Sequence, residues 1–361
     1  MTAPMLSKPF VDENFAFYDQ TLRGAKEQEP RWRRCVIATD SSLGEALGQL
    51  YVDKTFGPAS KDRMEHLVAD LRASYAKDLD SLPWMGEETR KRALEKLQAM
   101  VDKIGYPDKW RDYSALVIKP GDALGNVVRA DAFERHRKLV QIGQKVDRGE
   151  WGMTPPTVNA YYSPDHNDIN FPAGILQPPF FNLGADDAAN YGAIGAVIGH
   201  EMTHGFDDQG RHFDKDGNLN DWWTKEDAKN FEERAECLSD QAGGFTAVDD
   251  VKLNGKLTLG ENTADNGGIH IAYAAYKART AGQPEAKIDG FTPDQRFFLA
   301  YAQIWCSTQT PETARFMALN DPHPAAEFRA NGVVSNDADF VKAFNCQPDA
   351  AMARPKACRV W

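Results

Sequence analysis

At 361 residues, 42% hydrophobic and 26% charged, the chain has the composition of a globular protein, long enough for two domains or one large one with a substantial core. A formal net charge of -11 argues against nucleic acid or an anionic membrane surface as partner. No stretch reaches the roughly 20 apolar residues of a membrane-spanning helix, and the opening MTAPMLSKPF lacks the apolar centre of a secretory signal.

The first 110 residues read as helical. In KDRMEHLVADLRASYAKDL, the residues Met64, Leu67, Val68, Leu71, Tyr75 and Leu79 recur at helical spacing. A second helix is expected after Pro83, with Ala93, Leu94, Leu97 and Val101 on one stripe. Its early glutamates and later lysines and arginines suit the helix dipole. Residues 128 to 145 read as a further amphipathic helix. The charge runs of all these segments are expected on solvated helix faces. A domain boundary is expected between 115 and 130, at KPGDALGN.

The texture changes near residue 150. Asn159 to Tyr162 alternate as a strand does, then turn through Pro164 and Asp165. ILQPPFFNLG reads as a loop or short strand, and NYGAIGAVIGHEMTHGF as a buried helix rich in small residues. FDKDGNLND tempts a calcium-loop reading. Aligned on Gly217, however, such a loop would need acids where His212 and Trp223 stand, so a solvated turn is expected.

The chemistry concentrates in HEMTH. On a helix, His200 and His204 share one face one turn apart and can present both imidazoles to one cation. Glu201 lies beside the first histidine, placed to act on water as a general base. A catalytic zinc takes three protein ligands and an open position. No third histidine follows at metzincin spacing, since position 210 is glycine, so a carboxylate is expected. Glu261 and Asp265 in LGENTADNGG sit four apart on one helix face. Glu261 suits the metal and Asp265 suits a hydrogen bond to a ligand histidine. The plainer alternative is a pair of helix N-terminal acids favoured by the dipole.

Ten stretches together resemble the neprilysin and endothelin-converting-enzyme family of zinc peptidases, including its bacterial members. They are RWRRCV, GQLYVDKTF, WMGEETRKRALEKL, IGYP, VNAYYSPDHNDINFPAGILQPPFF, GAVIGHEMTHGFDDQGRHFDKDGNLNDWW, LGENTADNGG, WCSTQTPE, DPHPAAEFRANG and CRVW. The resemblance implies a mainly α-helical fold with a small mixed sheet. Residues 1–123 would supply part of a helical cap lobe and residues 124–361 a thermolysin-like zinc peptidase lobe. It implies one zinc per chain on His200, His204 and Glu261, with Glu201 activating the water. Asp265 and Asp207 would support the two ligand histidines. His323 would stabilise the oxyanion and Arg329 would hold a substrate carbonyl. Asn159 and Ala160 would bind the peptide backbone as an added strand does. Ile175, Phe180, Val197 and Trp305 would line the pocket for the residue after the scissile bond. The activity implied is cleavage of short peptides on the amino side of hydrophobic residues.

One departure is Thr263, where the family carries an aliphatic residue; it is expected to face away from the metal with little effect. The other is length. About as much sequence again normally precedes RWRRCV in the family, beginning with a signal or anchor. The chain has five cysteines. The resemblance pairs Cys237 with Cys358, and gives Cys35, Cys306 and Cys346 partners in that amino-terminal half. The chain is therefore expected to be a portion of a periplasmic or extracellular protein, with the amino-terminal half as a partner and apolar surface exposed where it would pack. A zinc-binding but incompetent fragment is the rival reading. A hydrolase of non-peptide esters or amides is weaker, because it would leave Asn159 idle.

Overall fold

The protein is described by a computed structural model covering residues 2–284 and 286–361. In chain order, α1 (Lys8–Asn14) runs into a π-helical segment, Phe15–Thr21, followed by α2 (Arg31–Thr55), α3 (Pro58–Ser81), α4 (Glu87–Ala99) and β1 (Val101–Gly105). Then come α5 (Ala123–Leu139), β2 (Tyr161–Ser163), β3 (Asp168–Pro172) and α6 (Asp187–Asn190). A π-helical turn, Tyr191–Gly195, leads directly into α7 (Ala196–His204). The chain continues through α8 (Lys225–Gly244), the hairpin β4 (Thr246–Val248) and β5 (Val251–Lys252), α9 (Leu259–Arg279), α10 (Pro293–Ile304), α11 (Pro311–Asn320) and α12 (Ala338–Ala343). The fold is mainly α-helical, and its three-stranded sheet is mixed. In the order β1-β3-β2, β1 runs parallel to β3 and β2 antiparallel to it.

The expected stripe of α3 is its buried face: Met64, Leu67, Val68, Leu71, Tyr75 and Leu79 are all closed to solvent. On α4 the stripe holds through Ala93 and Leu97, with Leu94 packed at the margin. Val101 does not belong to it. The helix ends at Ala99, Met100 turns to extended backbone and takes the next core position, and Val101 opens β1, half exposed. Its N–H is bonded to the Asn167 carbonyl, so sheet pairing there displaces the helix. The α5 helix starts earlier than expected because the Asp122 carboxylate caps it by accepting from Gly125 N–H. It ends at Leu139; residues 140–145 form turns around Gly143, whose φ of +80° no helix contains. The strand expected over Asn159 to Tyr162 begins only at Tyr161, so Asn159 and Ala160 lie just ahead of its paired residues. ILQPPFFNLG forms turns. FDKDGNLND is a turn in which the Asp214 carboxylate accepts from the N–H groups of Asp216 and Asn218. One charge run departs from expectation: Lys96 is 1% exposed, inside the core rather than on a solvated face.

The main core joins side chains from Val52 to Val360, so α3 and α4 share it with α7 and α9, and a smaller cluster gathers Ala242, Leu253, Ala318 and Phe328. Cys237 of α8 is bonded to Cys358 near the carboxyl terminus, with Cα atoms 5.6 Å apart, the pairing the resemblance implied. Cys35 and Cys306 are free and exposed, and Cys346 is free and half-buried. On α2, Trp32, Val36, Ile37 and Leu50 point their apolar surface to solvent.

A close backbone contact in the core is the crossing of α7 and α9. A Cβ on Gly199 would fall 2.6 Å from the Gly268 carbonyl oxygen. One on Gly268 would fall 2.6 Å from both the Ala196 oxygen and the His200 nitrogen. Backbone meets backbone there, and only glycine permits it. We expect Gly268→Ala to destabilise the protein by about 1–3 kcal/mol, as overpacking does, and to weaken zinc binding in the same sample. Thermal melts and chelator competition on the variant check both; a wild-type melt would refute the packing argument.

Candidate metal centre

The crossing brings two histidines of α7 against two acids of α9. His200 and His204 lie one turn apart, their rings nearly perpendicular and their Nε2 atoms 2.9 Å from each other. The Glu261 carboxylate reaches across to 3.4 Å from His200 Nε2 and 3.5 Å from His204 Nε2. Glu201 closes the group: one ligand atom each from His200, Glu201 and His204 lie within 4.8 Å of one another. Two Nε2 lone pairs cannot satisfy each other, and buried Glu261 Oε2 has no hydrogen-bond partner among the described residues. A cation between the three side chains resolves both. Two imidazoles, one carboxylate and an open side form the donor set of a catalytic zinc, so the residues fit the metal.

The other ring nitrogens are fixed by carboxylates. His200 Nδ1 lies 2.8 Å from Asp265 Oδ1, and His204 Nδ1 lies 2.6 Å from Asp207 Oδ2. A proton held at each Nδ1 leaves Nε2 free for a metal. Asp207 Oδ1 in turn accepts from the N–H groups of Gln209 and Gly210, at 2.9 and 2.7 Å. Asp265 is gripped by Arg329, whose Nε and Nη2 donate at 2.8 and 2.6 Å. The guanidinium stacks 4.0 Å from the centre of the Trp305 ring, and Tyr301 donates its hydroxyl to the Arg329 carbonyl at 2.9 Å. Arg329 thus holds Asp265 directly, in addition to facing the cavity.

Electrostatics separate the two glutamates. Burial pushes the Glu201 carboxyl upward, against the lowering effect of His200 and His204. Burial acts the same way on Glu261, but the nearness and charge of His200, with His204 and Arg329, outweigh it and hold Glu261 well below the usual carboxylate range. Glu261 is therefore the permanent anion suited to a metal, and Glu201 the acid whose proton affinity suits a base. Burial also lowers His200, but Asp265 and Glu261 more than reverse this, raising it to about 10 in the metal-free protein.

One cavity of about 580 Å³ collects every residue expected at the site. His200, Glu201, His204, Asp207, Glu261, Asp265, His323 and Arg329 line its polar side; Asn159, Ala160, Ile175, Phe180, Val197 and Trp305 line the rest. His323 is half exposed, with Nδ1 2.7 Å from Asp321 Oδ1 and Nε2 3.4 Å from Glu261 Oε1. Met153, Tyr161, Tyr301 and Ile304 also line the cavity and went unnoticed in the sequence. Tyr161 stands inside NAYY and could have been found there; the others read as ordinary core residues. Thr263 is buried away from the cavity, its hydroxyl without a hydrogen-bond partner among the described residues.

Similarity to known proteins agrees with this geometry. Residues 159–360 and residues 1–107 each match a model of Peptidase family M13. The chain is 40% identical to human endothelin-converting enzyme 1 over 373 aligned positions, covering 100% of this chain and 48% of that protein. It is 41% identical to human neprilysin, covering 99% of this chain and 49% of that protein. Its fold superposes on the zinc metalloprotease Zmp1 of Mycobacterium tuberculosis, crystallised with an inhibitor, at a TM-score of 0.95 and 46% identity, covering 100% of this chain and 55% of that one. PepO from Lactobacillus rhamnosis gives a TM-score of 0.90 at 35% identity, covering 98% of this chain and 54% of that one. The chain spans about half the length of the relatives it matches. With matched segments covering most of its length, the chain belongs to peptidase family M13.

Proposed function

We propose that this chain is the zinc-dependent peptide-hydrolysing part of an M13 metalloendopeptidase, cutting short peptides on the amino side of hydrophobic residues. The observation that carries this is the meeting of His200, His204 and Glu261 around one point, with Glu201 beside it and a peptide-sized cavity in front. A zinc held there would supply Lewis-acid polarisation of the scissile carbonyl and lower the pKa of the attacking water.

The chain's own residues do the rest. Glu201, poised by burial, takes the proton from the attacking water and passes it to the leaving amine. Asp265 and Asp207 keep the histidines in the tautomer that presents Nε2. Arg329 keeps Asp265 ionised and in place. His323, at the rim, offers a donor to the charge developing on the carbonyl oxygen. Among the described residues β2 is an edge strand paired with β3 alone, so the backbone at Asn159 and Ala160, just ahead of it, can take an extended peptide as a further strand. Ile175, Phe180, Val197 and Trp305 give the apolar wall that favours a hydrophobic side chain after the scissile bond. In this proposal the helices of residues 1–123 supply a share of the cap over that cavity, with a preceding amino-terminal half as partner. The disulfide Cys237–Cys358 supports an oxidising, periplasmic or extracellular setting.

The direct test is hydrolysis of a short quenched-fluorescent peptide with a hydrophobic residue after the cleavage point. Chelator-sensitive cleavage is expected; a folded, zinc-loaded chain that cleaves nothing would favour the fragment reading. Glu201→Gln should lower turnover by at least about a hundredfold while retaining zinc, and normal turnover would remove Glu201 as the base. Zinc affinity should rise with pH. Metal-free His200 holds a proton up to about pH 10, and zinc must displace it, releasing on the order of one proton per ion. Calorimetry in buffers of different ionisation enthalpy reads that release; heats independent of buffer would contradict it.

A further inference from the structure

Several buried ionisable groups take no part in the mechanism, Lys96 among them. Lys96 of α4 is 1% exposed, and its ammonium donates to three backbone carbonyls: Gly205 at 2.7 Å, Gly210 at 2.8 Å and Phe213 at 2.6 Å. Among the described residues its hydrogen bonds go to no carboxylate. The rings of Phe206, Tyr162 and Trp222 surround it at 5.6, 5.7 and 5.8 Å. Burial pulls its pKa down to about 7, against Asp207 and Asp214, which raise it. Three carbonyls can accept only from the charged form, because a neutral amine has two N–H groups.

Those three carbonyls belong to the segment that leaves the end of α7. The segment folds back so closely that a Cβ on Gly210 would fall 1.7 Å from the His204 carbonyl oxygen. The same Gly210 gives its N–H to Asp207, and Asp207 holds His204. A continuous path therefore runs from Lys96 through Gly210 and Asp207 to the His204 imidazole.

We propose that Lys96 is a positioning residue of the metal centre, pinning the 205–213 segment so that Asp207 holds His204 ready for the metal. A buried cation is a costly way merely to fill core space. It is suited to gathering three carbonyls spread along one folded-back segment, which an apolar side chain cannot do.

The inference rests on the metal reading above, so the experiment measures zinc binding by the full chain first. If the wild type binds no zinc, the metal reading itself fails. If it does bind, zinc affinity is measured by chelator competition for Lys96→Met, Asp207→Asn and the double variant, each with its disulfide and circular dichroism checked. Lys96→Met is expected to weaken zinc about tenfold to a hundredfold, as loss of supporting partners does. Because both changes act through His204, the double variant should bind within about threefold of Asp207→Asn alone. Wild-type affinity in Lys96→Met, or losses that multiply in the double variant, would overturn the proposal. If Lys96→Met does not fold, the same cycle is run with Lys96→Gln, which keeps a neutral donor. A wild-type reading covers failure of both: zinc must shift the ¹⁵N resonance of the Lys96 ammonium, and an unmoved resonance overturns the coupling.

Discussion

Everything at the metal centre depends on the contact between Gly199 of α7 and Gly268 of α9, where two helix backbones touch. Each helix carries its chemistry in a pair one turn apart, His200 with His204 and Glu261 with Asp265. Helices held apart by ordinary side chains would keep the two pairs out of reach of each other. At glycine distance the carboxylates of α9 lie within 2.8 to 3.5 Å of the imidazoles of α7. The small-residue character of both segments is thus a geometric requirement of the site.

That close approach also creates an electrostatic demand. Glu201, Glu261, Asp265 and Asp207 are all buried around two histidines, and among the described residues Arg329 is the guanidinium paired with the group. An excess of carboxylates in a region of low dielectric is unfavourable unless a cation joins them. The same excess that raises the proton affinity of His200 in the metal-free protein is what would favour a divalent ion in its place. Arg329 serves both states, because it neutralises Asp265 without entering the gap between the imidazoles.

Around this centre the remaining elements arrange access. Ala196 and Val197 at the start of α7 and the turns from Ile175 to Gly184 shape the apolar side of the cavity, and β2 gives it an open sheet edge. α2 is fastened just upstream of that edge: a Cβ on its Gly44 would meet Thr154, and one on Gly48 would meet Pro155. Helices of the amino-terminal third therefore bear on the segment that presents Asn159 and Ala160.

The sequence by itself determined that His200, Glu201 and His204 come together, since HEMTH on a helix leaves little freedom in where two imidazoles and a carboxylate point. It also determined the apolar stripe of α3, because that is a property of local spacing, while the fold class was what the family resemblance implied. Glu261 and Asp265 were legible as a pair but open to a plainer reading as helix N-terminal acids. Only the crossing of α7 and α9 brings them to the histidines. The tertiary structure alone decided that Arg329 grips Asp265, that Val101 leaves its helix for a strand, and that Lys96 lies inside the core. A lysine in a run of charges carries no local sign of burial. Its place is set by three carbonyls lying more than a hundred residues further along the chain, and no spacing rule within α4 can see them.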